Sequence, residues 1–113
     1  MIRVLITCPL NPEVVDRLNE IPEFEVSEKS GLSAMELRRE IAQAEALVCG
    51  AIPPVTAQVL QEAAGLRLII PVGAENGVDA AAAAGKRIEV RPIAAGTAGT
   101  EQTIAILKDF FNV

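Results

Sequence analysis

Histidine is missing from all 113 residues. That one gap removes imidazole as a metal ligand, as the partner of a nucleophilic serine and as the commonest general base. Tryptophan and tyrosine are missing too, so Phe24, Phe110 and Phe111 are the only aromatic residues. Half the chain is nevertheless hydrophobic, which makes the core aliphatic, built on Val, Ile, Leu and many Ala. Cysteine is limited to Cys8 and Cys49. They have no framework spacing, and the sparse usage predicts a reducing, cytoplasmic setting. No apolar run approaches the roughly 20 residues of a membrane span. The opening MIRVLITCPL has neither a charged n-region nor a small-residue cleavage site, so it reads as a first strand. A formal charge of −5 argues against a nucleic-acid partner, because neutralising phosphates needs clustered Lys and Arg. The adjacent basic pairs Arg38-Arg39 and Lys86-Arg87 read as solvated faces.

What remains is long enough for one domain, residues 1–113, with a core that needs no disulfide or metal. Residues 2–7 form a β-branched run and predict a buried strand. Asn11 is placed to cap a helix starting at Pro12, with Glu13 near its positive end. Val14, Val15, Leu18 and Ile21 recur at helical spacing, and Pro22 ends that helix. Residues 24–27 alternate as a short strand near an edge. Ser33 and Glu36 make a capping box with Leu32 before it, predicting a helix that buries Ala34, Leu37, Ile41 and Ala44. Residues 46–49 are a third strand. After a Gly/Pro-rich loop, Thr56 caps a helix burying Val59, Leu60 and Ala63, and Gly65 is expected as its left-handed C-cap. Residues 66–70 are apolar enough to be buried on both faces. Asp79 caps an alanine helix, 80–84, which Gly85 ends. Residues 88–91 form a fifth strand, and a last helix starts at about Thr100. Strands alternating with helices mean a parallel sheet with right-handed crossovers. The expected fold is α/β: a flavodoxin-like three-layer sandwich with a five-stranded parallel sheet of order 2-1-3-4-5.

In such a sheet ligands sit beyond the carboxyl ends of the strands. Cys8 and Cys49 fall there, on neighbouring strands about 4.8 Å apart, so a redox pair or reactive thiolate is one reading. Two small, packed core residues are the simpler one. Val14 stands where a cysteine-dependent phosphatase loop needs arginine, and that loop would contain two prolines without amide protons. The carboxylates of a response-regulator receiver are replaced by Cys-Pro-Leu-Asn and Cys-Gly-Ala-Ile. A dinucleotide turn calls for G-x-G-x-x-G. The loop from Gly73 to Gly77 instead places Glu75 where a pyrophosphate would be repelled. The loop from Gly96 to Gly99 precedes a helix and could offer amides to an anion, although as an ordinary loop it needs no ligand. Glu75, Asp79 and Glu101 are acid/base candidates, and capping accounts for Asp79 and Glu101 more simply.

Taken together, several segments resemble the D-2-hydroxyacid dehydrogenase family, the group containing phosphoglycerate dehydrogenase. Residues 3–13, RVLITCPLNPE, resemble its first strand and P-L-x-P-E loop. ALV at 46–48, VTAQVL at 55–60 and LRLII at 66–70 are similar to its A-L-I-V, V-T-x-E-V-L and L-K-V-I segments. Asp79 and the alanines after it resemble D-x-x-A-A, Pro92 the proline of P-G-x-N, and residues 100–103, TEQT, the motif A-E-H-T. The resemblance is collinear over nearly the whole chain and implies the family's substrate-binding domain, with the nucleotide-binding domain expected to be absent. It implies NAD for full-length members, with no cofactor site and no metal on this chain, and a small 2-hydroxy or 2-oxo acid as ligand. The substrate carboxylate would meet backbone amides at Gly73, Ala74 and Glu75.

Departures cluster at that site. Gly50 and Ala51 replace the family's Arg-Ser, Pro71 replaces the loop arginine, and Glu75 replaces a glycine. Ala95 and Gln102 replace the asparagine of P-G-x-N and the histidine of A-E-H-T. The family's catalytic arginine, acid and histidine match no residue here. The expectation is therefore a truncated or stand-alone substrate-binding domain without activity by itself. The alternatives are a non-catalytic interaction module and a small-ligand or redox protein using Cys8 and Cys49. The last helix carries one stripe of Ile104, Leu107 and Phe111 and another of Ile106 and Phe110. One stripe covers the sheet; the other predicts a homodimer through Ile104, Ile106, Phe110 and Phe111.

Overall fold

The computed structural model describes residues 2–8, 12–29, 31–50, 54–73, 77–93 and 98–113. Five strands and five helices alternate along the chain: β1 (Ile2–Ile6), α1 (Pro12–Asn19), β2 (Phe24–Glu28), α2 (Ala34–Ile41), β3 (Ala46–Cys49), α3 (Ala57–Gln61), β4 (Leu68–Pro71), α4 (Ala80–Gly85), β5 (Glu89–Val90) and α5 (Ala98–Phe111). All strand pairs are parallel, and their order is β2-β1-β3-β4-β5. This is the doubly wound sheet that the alternating pattern implied.

Side-chain alternation along the strands divides the core into two layers. Val4, Ile6, Ala46, Val48, Leu68 and Ile70 pack against Val14 and Leu18 of α1 and Ile104 and Leu107 of α5. On the other face Leu5, Leu47 and Ile69 pack against Leu37 and Ile41 of α2, Val59 and Leu60 of α3, and Ala83 of α4. Every residue of β3 and β4 is buried, as central parallel strands covered on both faces must be. Pro71 is tolerated because it is the last residue of β4; there it lacks only its own N–H, while its carbonyl accepts from the Ile93 amide at 2.9 Å.

The polar punctuation works largely as the sequence implies. Ser33 and Glu36 form a complete capping box on α2, and the Ser33 amide holds the Glu36 carboxyl below its ordinary range. The Thr56 side chain accepts from the Val59 amide, and Asp79 accepts from Ala82 at 3.0 Å. The Asn11 cap lies outside the described residues.

Several details differ from expectation. Ala34 is exposed, because the first turn of α2 lies beyond the edge of the layer that Leu37 and Ile41 fill. Gly65 is not left-handed; among the described residues the positive-φ glycines are Gly31 and Gly73. Instead α3 ends in tight turns, with the Ala63 amide donating to the Leu60 carbonyl at 3.1 Å, and Ala63 itself buried. Gly85 is the last residue of α4, as expected, but the left-handed residue that closes the helix is Arg87 at φ 60°. The Ile88 amide reaches the Ala83 carbonyl at 2.9 Å and the Arg87 amide reaches Ala84 at 3.0 Å. This is a Schellman closure whose register is set by burying Ile88 against Ala83. β4 begins at Leu68 and β5 has only two residues, and α5 starts at Ala98.

The two stripes of α5 are not equivalent. Ile104 and Leu107 are buried in the sheet-facing layer, so Ile104 is unavailable to a partner. Ile106, Phe110 and Phe111 are half-buried at the rim of the same cluster. Phe111 meets Phe24 edge-on at 6.1 Å between ring centres and Phe110 at 4.9 Å, and the Arg67 guanidinium lies over both rings. Asn112, at φ 57°, ends the helix.

Candidate functional site

The carboxyl ends of β1, β3 and β4 meet where the chain turns from one face of the sheet to the other. Thr7 and Cys8 follow β1, Cys49 ends β3 with Gly50 after it, and Val72 and Gly73 follow β4. Backbone bonds knit these ends together. The Thr7 amide donates to the Val48 carbonyl at 2.9 Å, Val72 to Cys49 at 2.7 Å and Gly73 to Ile93 at 2.9 Å.

That last bond limits what Gly73 can do. Its amide is already engaged across β4 and the segment after β5, so its offer to a ligand is close approach rather than an N–H. Its φ of 96° needs glycine, and a Cβ built there would meet nothing within 4 Å among the described residues. The position is therefore both backbone-restricted and open. Ala74 and Glu75, the other two residues expected to hold a substrate carboxylate, lie outside the described residues, as do Ala51, Ala95 and the loop glycine Gly96.

The thiols are brought close along the strands but separated by the sheet. Cys8 belongs to the layer under α1 and α5, while Cys49 belongs to the layer under α2, α3 and α4. Both are free and buried. Burial raises the Cys8 pKa, a little offset by a backbone hydrogen bond. Cys49 is pushed up to about 12 by burial, with a smaller contribution from Cys8. Raised thiol pKa values and packing in different layers match the simpler reading of both cysteines as core residues.

Two features of these strand ends carry no mark that the sequence pattern was read for. A Cβ at Gly50 would lie 3.2 Å from the Cys8 Cβ, so Cys8 and the glycine after β3 fit as a pair. Strand alternation would have placed them on the same face. The Thr7 hydroxyl is buried and has no hydrogen-bond partner among the described residues; no sequence signal marks it. Elsewhere Glu101 pairs with Arg17, tying α5 to α1, and Asp79 serves as a cap. Structural work thus accounts for both of these acid/base candidates. Among the described residues no cluster of His, Cys, Asp and Glu could hold a metal ion, and no helix is long and apolar enough to cross a membrane.

The turn from β1 to α1 lacks the glycine-rich sequence that a dinucleotide turn requires. It contains no glycine, and Pro9 and Pro12 have no amide proton to give a pyrophosphate.

Parallel strands in the order β2-β1-β3-β4-β5 with helices on both faces define a doubly wound α/β domain. The family described as D-isomer specific 2-hydroxyacid dehydrogenase, catalytic domain, matches residues 4–103, and the chain belongs to that family. It is 33% identical over 111 residues to the D-3-phosphoglycerate dehydrogenase of Methanocaldococcus jannaschii, an alignment covering 95% of this chain and 21% of that protein. A solved structure from Thermus thermophilus is 32% identical, with a TM-score of 0.69, over 79% of this chain and 29% of its own. The NAD+-bound 3-phosphoglycerate dehydrogenase of Entamoeba histolytica shares the fold at a TM-score of 0.70 and 15% identity, over 80% of this chain and 32% of its own. The chain thus spans about a fifth of the Methanocaldococcus relative's length.

Proposed function

We propose that these residues form the substrate side of a 2-hydroxyacid dehydrogenase, binding a small 2-hydroxy or 2-oxo acid at the strand ends without turning it over by themselves. The observation that carries this reading is the open, glycine-dependent backbone at Gly73, on the same rim as Thr7, Cys49 and Gly50. Family membership supplies the ligand class, and the absence of histidine from the 113 residues supports the lack of turnover. NAD enters this reading only through the rest of a full-length dehydrogenase. The free, buried thiols are in keeping with a reducing cytoplasm.

Association of two copies through α5 accompanies this proposal. Its support is the rim of half-buried apolar residues, Ile106, Phe110, Phe111 and Val113, continuous with Val15 and Val26.

The test of turnover is NADH oxidation by the purified chain with hydroxypyruvate, glyoxylate or 2-oxoglutarate. The expected rate is that of buffer. A rate that scales with protein concentration overturns the proposal.

A further inference from the structure

The outer strand β2 is covered on one face only. Phe24 and Val26 turn toward α1 and α5, whereas Glu25 and Ser27, opposite Arg3 and Leu5 in the ladder, face the side where α2 lies. Because α2 packs over Leu5 and Leu47, it leaves a trough between its own flank and β2. This groove has a volume of about 370 Å³, within reach of a small ligand. It runs along the flank of the sheet rather than across the strand ends.

The hydrogen-bonding inventory of its walls is unbalanced. Arg3 donates to the Gln43 Oε1 at 3.0 Å and its Nε stands 3.6 Å from Glu25. Lys29 donates to Glu40 at 2.8 Å. Each glutamate thereby pairs with one cation through one of its two carboxylate oxygens, and the Gln43 oxygen accepts from Arg3. Arg39 also lines the groove and forms no ion pair or hydrogen bond among the described residues, although its charge reaches Glu36 three residues back on α2. The donors it offers without a hydrogen-bond partner among the described residues are the Arg39 guanidinium, the Gln43 amide N–H groups and the Ser27 hydroxyl. With Arg3, Lys29 and Arg39 set against Glu25 and Glu40, the groove carries a net positive charge, and a planar guanidinium fits an oxyanion through two parallel bonds.

We propose that this groove is a binding site for a small monocarboxylate, held by Arg39 with Gln43 and Ser27. Glu25 and Glu40 stand in the same groove and would repel a doubly charged anion, which favours a carboxylate over phosphate. The site is separate from the strand-end crevice and does not depend on the substrate reading.

The experiment is an amide-resolved NMR titration of the chain with butyrate and, separately, inorganic phosphate, each against chloride at matched ionic strength. Saturable shifts at Ser27, Arg39 and Gln43 with butyrate are expected. Arg39→Gln, a change at an exposed position, should weaken binding at least tenfold. Arg38→Gln, whose guanidinium is held by Glu62, should bind as the wild type does. Shifts no larger than chloride gives, an unchanged affinity in Arg39→Gln, an equal loss in Arg38→Gln, or tighter binding of phosphate than of butyrate would each overturn the proposal.

Discussion

Thiol reactivity offers a sharp physical test of the strand-end geometry. The thiolate is the reactive form, so labelling rate follows its population. With the ordinary thiol value of 9.0, about 3% of a cysteine is ionised at a pH of about 7.5. With Cys49 pushed up to about 12, that falls to about 0.003%, a roughly thousandfold loss before access is considered. Cys8 is raised by the same cause, and the two side chains belong to different layers of the core. The assay is mass-resolved alkylation of native and urea-unfolded chain across the pH range. Both cysteines should label at least a hundredfold more slowly when folded, and mild oxidant should form no Cys8–Cys49 bond. The linkage sign gives a second readout. Because the folded Cys49 pKa lies above its unfolded value, its neutral thiol favours the fold below about pH 9, and that contribution is lost as pH rises toward about 12. Native labelling within tenfold of the unfolded rate, or a disulfide at neutral pH, would refute this reasoning and restore the redox alternative.

Other outcomes follow from single positions. Arg87→Gly should stabilise the fold by about 0.5–1 kcal/mol, since relief of the left-handed strain of an L-residue outweighs the added unfolded-state entropy; a lower urea midpoint would contradict that. Sedimentation should show wild type as a dimer at high micromolar concentration and Phe110→Ser/Phe111→Ser as a monomer, and a monomeric wild type removes the association proposal.

The fold was legible because its determinants are local and repeated. Caps at Ser33, Thr56 and Asp79 mark where helices begin, and β-branched runs mark the central strands. Helix ends were less legible. Gly65 and Gly85 look like C-caps by residue type, but closure is decided by which apolar residue must be buried next, and Ile88 draws the left-handed position onto Arg87. The face of each thiol was present in the sequence: counting two-residue alternation from Ile6 to Cys8 and from Val48 to Cys49 places them on opposite sides. By contrast, the engagement of the Gly73 amide by Ile93 depends on β5 closing beside β4, a long-range contact that no local pattern announces. Nor does Phe110 advertise its packing under Arg67, which lies far away in sequence.

The central claim is that the strand ends bind a small 2-hydroxy or 2-oxo acid. Its most direct test is an amide-resolved NMR titration with hydroxypyruvate and D-glycerate, using butyrate to saturate the β2 groove. Saturable shifts at Cys49, Gly50, Val72 and Gly73 that persist with butyrate present, and that Gly73→Val abolishes while the fold is retained, are the predicted result. Shifts confined to the groove, or none at the strand ends at millimolar ligand, would contradict the claim.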